Sequence, residues 1–316
     1  MTLQRPSAIV TLANRRLTAA EAGLLSLRIT LGNGRHDSLE LSLWARSKFA
    51  SAAAGDTVSV QLGYLDHEED VFKGEVAAVA QRTDSVFVTA LAKTASLSRE
   101  RKSQTYVGQT VADIVRDLAG SIDIDQVDGT TQVSYYAVDH RRSVWGHLLD
   151  LAALNGSEIS CSGSGGLRFL PVHALPSPTK FRAGAELLSW RAAKRTAGTA
   201  PTFAPHGSAS ESGSDKWHWI SPDPTSGGGE SQVIGSFHAR DAAEALSKAV
   251  ADGRTRAALE GEVELVGQPT LRPGDVFSLS DLPGGDPGPL RAVLVTHAVD
   301  ARRGFRTVAR VEGAGA

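Results

Sequence analysis

Four carboxylate side chains lie close together in the sequence, at Asp66, Glu68, Glu69 and Asp70. Paired carboxylates serve as acid, base or nucleophile in glycoside hydrolysis, so this group is a candidate for that chemistry. It falls between two runs with strand periodicity, however, and we interpret it as a solvated hairpin loop. A further hypothesis is that, in a ring-shaped oligomer, the loop faces the lumen and repels or guides a passing polymer.

Metal and cofactor chemistry has little support in the sequence. The nine histidines are scattered, and His140 and His147 are seven residues apart, whereas paired ligands on one helix face are usually four apart. Residues 123–129 carry alternate aspartates but lack the register and the closing glutamate of a calcium loop. Cys161 is the only cysteine, and we interpret it as a small, partly buried residue. We therefore predict neither a metal site nor a cofactor.

The sequence also lacks the motifs of common hydrolases and nucleotide-binding enzymes. It has no Gly-x-Ser-x-Gly nucleophile elbow and no Gly-x-x-x-x-Gly-Lys-Ser/Thr phosphate loop. Residues 32–34 and 163–166 are glycine-rich, but neither has the third glycine and following helix of a dinucleotide loop. Both are interpreted as hairpin turns. We predict that the protein is not an enzyme.

The composition indicates a globular protein. The chain has 316 residues, 41% of them hydrophobic, and its formal net charge of -2 gives no electrostatic reason to expect nucleic acid or a membrane surface as a partner. No apolar run approaches the roughly 20 residues of a spanning helix, and no secretion signal is visible. The single cysteine suits a protein made in a reducing cytoplasm.

Three regions differ in their periodicity. Residues 1–97 consist of short alternating runs and predict a first small β-barrel domain. Residues 98–182 mix helices with short strands and predict an α+β insert domain. Residues 183–316 return to strands and predict a second β-barrel domain. Three amphipathic stretches predict helices, at residues 109–120, 143–155 and 239–259. The predicted fold is mainly β, with two similar small β-barrel domains plus a helix-containing domain.

A polar segment at about residues 199–231 interrupts the third region. It is rich in proline, glycine and serine, and we interpret it as a mobile loop that orders on assembly. Trp217 and Trp219 are unusual in such a segment. They are either a hydrophobic anchor onto the barrel or a contact to a neighbouring subunit.

A β-unit occurs twice in the chain, 219 residues apart. Gly55 and Asp56 open one copy and Gly274 and Asp275 open the other, each followed by a strand of alternating apolar residues. A second strand, which contains Gly74 in the first copy, and a third strand follow in step. The structural turns of the repeated barrel are predicted at Gly55, Asp56, Gly74, Gly274 and Asp275. A duplicated β-unit within one subunit indicates pseudo-symmetry, and pseudo-symmetry favours a role in assembly over a role in catalysis.

The order of these motifs resembles phage late-control D proteins and the type VI secretion spike proteins called VgrG. The resemblance is carried by the Gly-Asp-x-Val-x-Val-x-Leu-Gly run at 55–63, the Phe-x-Gly-x-Val run at 72–76, and the segments 104–114, 143–156, 273–275 and 304–307. It covers most of the chain apart from about 199–231.

The resemblance implies a structural baseplate hub of a phage tail or contractile injection system. Members of this family are homotrimers whose two barrels per subunit join a six-fold tail tube to a three-fold spike. Nothing corresponding to the VgrG stem follows residue 316, so the spike is expected to be a separate polypeptide. The implied partners are further copies of the chain, a tail tube protein, that spike and other baseplate proteins.

Two other functions remain open from the sequence. One is a two-domain surface module that binds carbohydrate or peptide. The other is a tail-associated cell-wall hydrolase, which would require a catalytic group in a cleft, with Glu68 or Glu69 as its candidates. The residues do not distinguish a phage from a bacteriocin-like particle or a secretion system.

Overall fold

The computed structural model describes residues 5–172, 179–195 and 240–314, together with five two-residue strands between residues 202 and 237. The first part of the chain is all strand. Its strands are β1 Pro6–Leu12, β2 Arg15–Thr18, β3 Leu24–Gly32, β4 Ser38–Trp44, β5 Thr57–Tyr64, β6 His67–Gln81 and β7 Ser85–Ala92.

The middle part mixes helices and strands. After a 3₁₀ helix at Lys93–Ser98, its elements are β8 Gln104–Thr110, α1 Val111–Ala119, β9 Ile124–Val127, β10 Gln132–Val138, α2 Val144–Asn155, β11 Ser157–Cys161 and β12 Leu167–Pro171. Both helices begin directly after a capping residue. Thr110 accepts a hydrogen bond from Asp113 N–H (3.2 Å) and Ser143 accepts one from Gly146 N–H (3.1 Å).

The last part returns to strands around one long helix. The elements before the helix are β13 Lys180–Arg182, β14 Leu187–Lys194, β15 Thr202–Phe203, β16 His206–Gly207, β17 Trp219–Ile220, β18 Ser231–Gln232 and β19 Ser236–Phe237. The helix and the strands after it are α3 Arg240–Ala257, β20 Leu259–Val266, β21 Val276–Ser280, β22 Pro289–Asp300 and β23 Gly304–Gly313. The described chain is therefore mainly β with an α+β middle part, which confirms the predicted fold class.

One sheet of 13 strands runs through the first and last parts of the described chain, in the order β14-β20-β23-β22-β3-β4-β7-β6-β5-β1-β2. Off this path, β21 pairs with β22 and β13 pairs with β21. The two parts meet at β22, which changes partner along its length. Arg291 in its first half pairs with Val276 of β21, whereas Leu294 in its second half pairs with Gly32 of β3. The described pairings leave this sheet open, so the closed barrels stay a prediction.

Two hydrophobic cores lie under these elements. One contains buried residues of both the first and the last parts, among them Leu39, Val60 and Val295, because the continuous sheet covers both. The other belongs to the middle part and contains Leu148 of α2 and Phe169 of β12. Burial of such side chains supplies most of the favourable free energy of folding.

Candidate assembly site

The two Gly-Asp turns have the same local geometry. Gly55 has φ +92° and Gly274 has φ +96°, a conformation that glycine adopts much more readily than other residues. Asp56 Oδ2 accepts the Ala53 N–H at 2.8 Å, and Asp275 Oδ2 accepts the N–H three residues before it at 2.7 Å. The pattern read from the sequence is therefore a repeated turn with a carboxylate cap.

Each turn holds the next strand by the same pair of backbone hydrogen bonds. These are Gly55 N–H to Val76 O (2.8 Å) and Val76 N–H to Asp56 O (2.8 Å) in one copy, and Gly274 N–H to Ala292 O (2.8 Å) and Ala292 N–H to Asp275 O (2.9 Å) in the other. A register shift follows at once in both copies, between residues 76 and 78 and between residues 292 and 294. The repeat is thus preserved down to the position of a β-bulge.

The repeat extends over five strands rather than three. Strands β3-β4-β7-β6-β5 are neighbours in that order in the first copy, and β14-β20-β23-β22-β21 are neighbours in the same order in the second. In the first copy β3 and β4 form a hairpin. In the second, the equivalent strands β14 and β20 are separated by the segment that ends in α3.

The sequence carries a signal for these extra strands that does not recur at the spacing of the Gly-Asp turns. Residues 24–28 read Leu-Leu-Ser-Leu-Arg and residues 187–191 read Leu-Leu-Ser-Trp-Arg, 163 positions later. Each run has its own register shift, which bulges Leu25 in one copy and Leu188 in the other. Those two side chains are 46% and 51% exposed. The separation differs from 219 because the second copy holds a long insertion, which hides the match.

Gly74 lies in β6 where β7 passes closest. A Cβ atom at this position would come within 2.2 Å of the Leu91 carbonyl oxygen. Residue 74 must therefore be glycine for the two strands to pair.

The four carboxylates of the first copy do not form a loop, which corrects our expectation. Tyr64 pairs directly with His67, so the hairpin turn contains only two residues, and Asp66 adopts φ +69° there. Glu68, Glu69 and Asp70 belong to strand β6. Because neighbouring residues of a strand face opposite sides, Glu68 and Glu69 do not point into one cleft as a hydrolytic pair requires.

Arg272, beside the second Gly-Asp turn, joins the two copies. Its guanidinium donates to the carbonyl oxygens of Asp70 (2.6 Å) and Val71 (3.3 Å) in β6. Burial lowers the pKa of Arg272. Tyr64 adds a second link, because its hydroxyl donates to the Gly267 carbonyl at 3.0 Å. These contacts fix the first copy against the second.

A charged network links the middle part to both copies. Arg291 is 2% exposed and contacts Glu158 of β11 and Glu312 of β23, the latter at 3.1 Å. Asn33, in the β3–β4 turn, also donates to Glu158, and Arg256 contacts Glu312 at 3.0 Å. Buried ion pairs of this kind fix geometry more than they add stability.

Several titratable groups are buried inside the two copies. Burial raises the pKa of Asp37 to about 7 and lowers the pKa of His297 to about 3. Cys161 is 3% exposed, more buried than the sequence suggested, and burial raises the pKa of its thiol to about 12. A thiol of this kind is inert, which fits a structural residue.

The two tryptophans of the polar segment give no further geometry. Trp217, like most of residues 199–231, lies outside the described residues, and Trp219 is described only as part of strand β17. In the described ranges no group of three or more His, Cys, Asp or Glu side chains is placed to hold a metal ion. None of the described helices is long and apolar enough to cross a membrane.

Comparison with known proteins gives a family and a fold. The family model described as the Alg8 N-terminal domain (Alg8_N) matches residues 24–192, more than half of the chain. None of the curated protein sequences matches.

Among solved structures, a tail protein from Neisseria meningitidis MC58 is similar with a TM-score of 0.74, at 12% identity over 98% of this chain and 96% of that one. The 43 kDa tail protein of prophage MuSo2 from Shewanella oneidensis has a TM-score of 0.71, at 13% identity over 98% of both chains. A type VI secretion system component from E. coli has a TM-score of 0.61, at 10% identity over 91% of this chain and 73% of that one. The chain therefore has the fold of these proteins.

Proposed function

The chain belongs to the Alg8 N-terminal domain family, and we propose that it is a structural protein of a phage tail or a related injection particle. The observation that carries this proposal is the likeness in fold to two tail proteins over nearly the whole of each chain, with TM-scores of 0.74 and 0.71. In this role the protein catalyses no reaction. It is made in the bacterial cytoplasm and is assembled into the baseplate of the particle.

Within the baseplate, the proposed role is that of a trimeric hub. Each chain carries two copies of a five-strand unit with matching turns and bulges. Three chains then present six similar units to a six-fold tail tube while keeping three-fold symmetry towards a spike. The proposed domains are 1–97 and 183–316 for the two copies and 98–182 for the insert.

The proposed partners are a tail tube protein, a separate spike protein and other baseplate proteins. Trp217 and Trp219 are proposed to contact a neighbouring subunit. The exposed carboxylates Asp66 and Glu69 at the β5–β6 hairpin are proposed to face the lumen of the ring. The double variant Asp66→Asn and Glu69→Gln should then assemble normally but change cargo passage, and unchanged passage would remove this part of the proposal.

Co-purification tests the proposed role. The full-length chain is expressed together with the tube and spike proteins encoded beside it, and only the chain carries an affinity tag. We expect both proteins to be retained with the chain after washing, and to be lost when an unrelated tagged β-protein replaces it. Retention of neither protein, together with normal particles from cells that lack the chain, would refute the proposal.

A further inference from the structure

Among the strand edges that have no partner in the described structure, two occupy related positions in the repeat. The first belongs to residues 77–81 of β6. One edge of this segment pairs with β7, and no described strand pairs with its other edge. The equivalent segment of β22 in the second copy starts at Leu294, directly after the matching bulge, and its corresponding edge pairs with β3.

The second edge belongs to β14, which ends the described sheet. β14 pairs with β20 on one side and, among the described strands, forms no ladder on the other. Its equivalent in the first copy is β3, whose corresponding side is covered by β22. The free edge of β6 therefore lacks a partner equivalent to β3, and β14 is such a strand. The free edge of β14 lacks a partner equivalent to β22, and β6 is such a strand.

Both free edges have side chains that permit close approach. Ala77, Ala78 and Ala80 of β6 are exposed, and so are Ala192 and Ala193 of β14. Proteins normally protect an exposed edge with charged residues, proline or a bulge, because unpaired N–H and C=O groups invite another strand. The exposed alanines leave room for a further strand at each edge, although β14 also carries the exposed charged residues Arg191 and Lys194 on either side of its alanines.

We infer that residues 77–81 of β6 pair antiparallel with β14 of a second copy of the chain, in the same way that β22 pairs with β3 inside one chain. The inference rests on the proposed trimeric hub and names the contact that closes it. Each chain then uses one edge of each kind, so the contact is head-to-tail and can continue around a ring.

The internal pairing also sets the register of the contact. Ala78 and Leu294 occupy the same place after the bulge, opposite Thr89 and Arg310 respectively. Arg28 and Arg191 occupy the same place opposite Glu40 and Glu262. Transferring the β22–β3 register gives three pairs between chains, Val79 with Lys194, Ala80 with Ala193 and Gln81 with Ala192.

Cysteine cross-linking of the full-length chain tests this contact. The double variant Val79→Cys/Lys194→Cys places two thiols directly opposite each other across the proposed pair, within disulfide reach. After mild oxidation we expect covalent dimers and trimers on a non-reducing gel that disappear on reduction. The single variants Val79→Cys and Lys194→Cys should run as monomers on the same gel. A head-to-tail contact places residue 79 of one chain opposite residue 194 of the next, so each single variant has only one thiol at the contact. The wild-type chain, which contains only the buried Cys161, shows whether that cysteine forms a cross-link by itself.

A second double variant checks the register. Val79→Cys/Ala192→Cys keeps both thiols on the same face but moves one by two residues, which separates them beyond the usual disulfide distance. It should cross-link far less than the matched pair. Equal cross-linking of both double variants, or dimers from a single variant, would overturn the proposed pairing.

The outcomes separate this inference from the proposed function. If the native mass of the chain is that of a trimer but the matched pair gives no covalent species, the edge pairing is wrong and the hub role stands. If the chain is monomeric, alone and with its tail partners, and no cross-link forms, both are wrong. Circular dichroism and urea unfolding of each variant control for loss of folding, because Val79 is half-buried and packs against the main core, whereas Lys194 is exposed.

Discussion

At the scale of single residues, the repeat depends on a few positions that tolerate little change. Gly55 and Gly274 adopt positive φ, and Asp56 and Asp275 cap the same backbone N–H position. The backbone conformation explains why glycine and aspartate occupy these turns. The two Gly-Asp pairs therefore indicated both turns in the sequence. Gly74, predicted as a turn, lies instead within strand β6, and it must be glycine because of a contact from the neighbouring strand β7.

Substitution of Gly74 should be severely destabilising. In Gly74→Ala the new Cβ would lie 2.2 Å from the Leu91 carbonyl oxygen, so β6 and β7 must separate. We expect a loss of more than about 3 kcal/mol in the free energy of unfolding, measured by urea denaturation. The control is Gly146→Ala in helix α2, where nothing lies closer than 3.4 Å to the new Cβ. It should be neutral or stabilising by about 0.5–1 kcal/mol, and equal effects of the two would contradict this account.

His297 should make the protein acid-sensitive. Its side chain is fully buried, and burial lowers its pKa from 6.5 to about 3. Below pH 6.5 the unfolded chain binds a proton at this residue and the folded chain does not, so stability falls as the pH falls towards 3. Between pH 7 and pH 5 this group alone should remove about 2 kcal/mol from the free energy of unfolding.

Comparison with a variant isolates the effect of His297. In His297→Leu, the loss of stability between pH 7 and pH 5 should be smaller than in wild type by that amount, whatever the absolute stability of the variant. If the loss of stability between pH 7 and pH 5 is the same in His297→Leu as in wild type, His297 is not a neutral, buried residue in the folded protein.

At the scale of elements, the sequence predicted the three helices and most strands, because the helices have an amphipathic period and the strands an alternating one. It did not predict which strands would pair across the chain. The acidic residues 66–70 were interpreted as a loop because polar residues favour loops, yet Glu68 to Asp70 pair with β5. The change of partner along β22 is a long-range contact that no local pattern encodes.

Arg272 is the residue that should control how firmly the two copies are joined. Arg272→Met keeps most of the aliphatic stem but removes the hydrogen bonds to the Asp70 and Val71 carbonyl oxygens. We expect a loss of about 1.5–3 kcal/mol in the free energy of unfolding, measured by urea denaturation, because two carbonyl oxygens, one of them partly buried, lose a charged donor. The exposed Arg302→Met is the matched control and should change stability by less than about 0.5 kcal/mol. A similar loss in both variants would mean that Arg272 does not join the copies.

At the scale of the whole molecule, the duplication was visible in the sequence but its extent was not. The Gly-Asp turns recur 219 positions apart, whereas the Leu-Leu-Ser runs recur 163 positions apart, because an insertion separates β14 from β20. A repeat interrupted by an insertion has two spacings, so a single spacing matches only the strands on one side of the insertion. The continuous sheet through both copies also required the structure, since it depends on β22 reaching β3.

The proposed assembly follows from the same duplication. Inside one chain, the second copy adds its β22 to the β3 edge of the first copy. If the same contact recurs between chains, each subunit extends the sheet by two similar units. A closed ring of three chains then contains six units, which is the property that a hub between a six-fold tube and a three-fold spike requires.

Native mass spectrometry of the full-length chain, alone and mixed with its tail tube protein, tests the central claim most directly. We expect a species of three chains, with no stable assembly of two or four. Each chain carries two copies of the unit, so only three chains give six equivalent units. Ala80→Glu, which places a charge at an exposed position on the free edge of β6, should shift this species towards the monomer. A chain that remains monomeric in both samples, or whose stable assembly contains a number of chains other than three, would contradict the account.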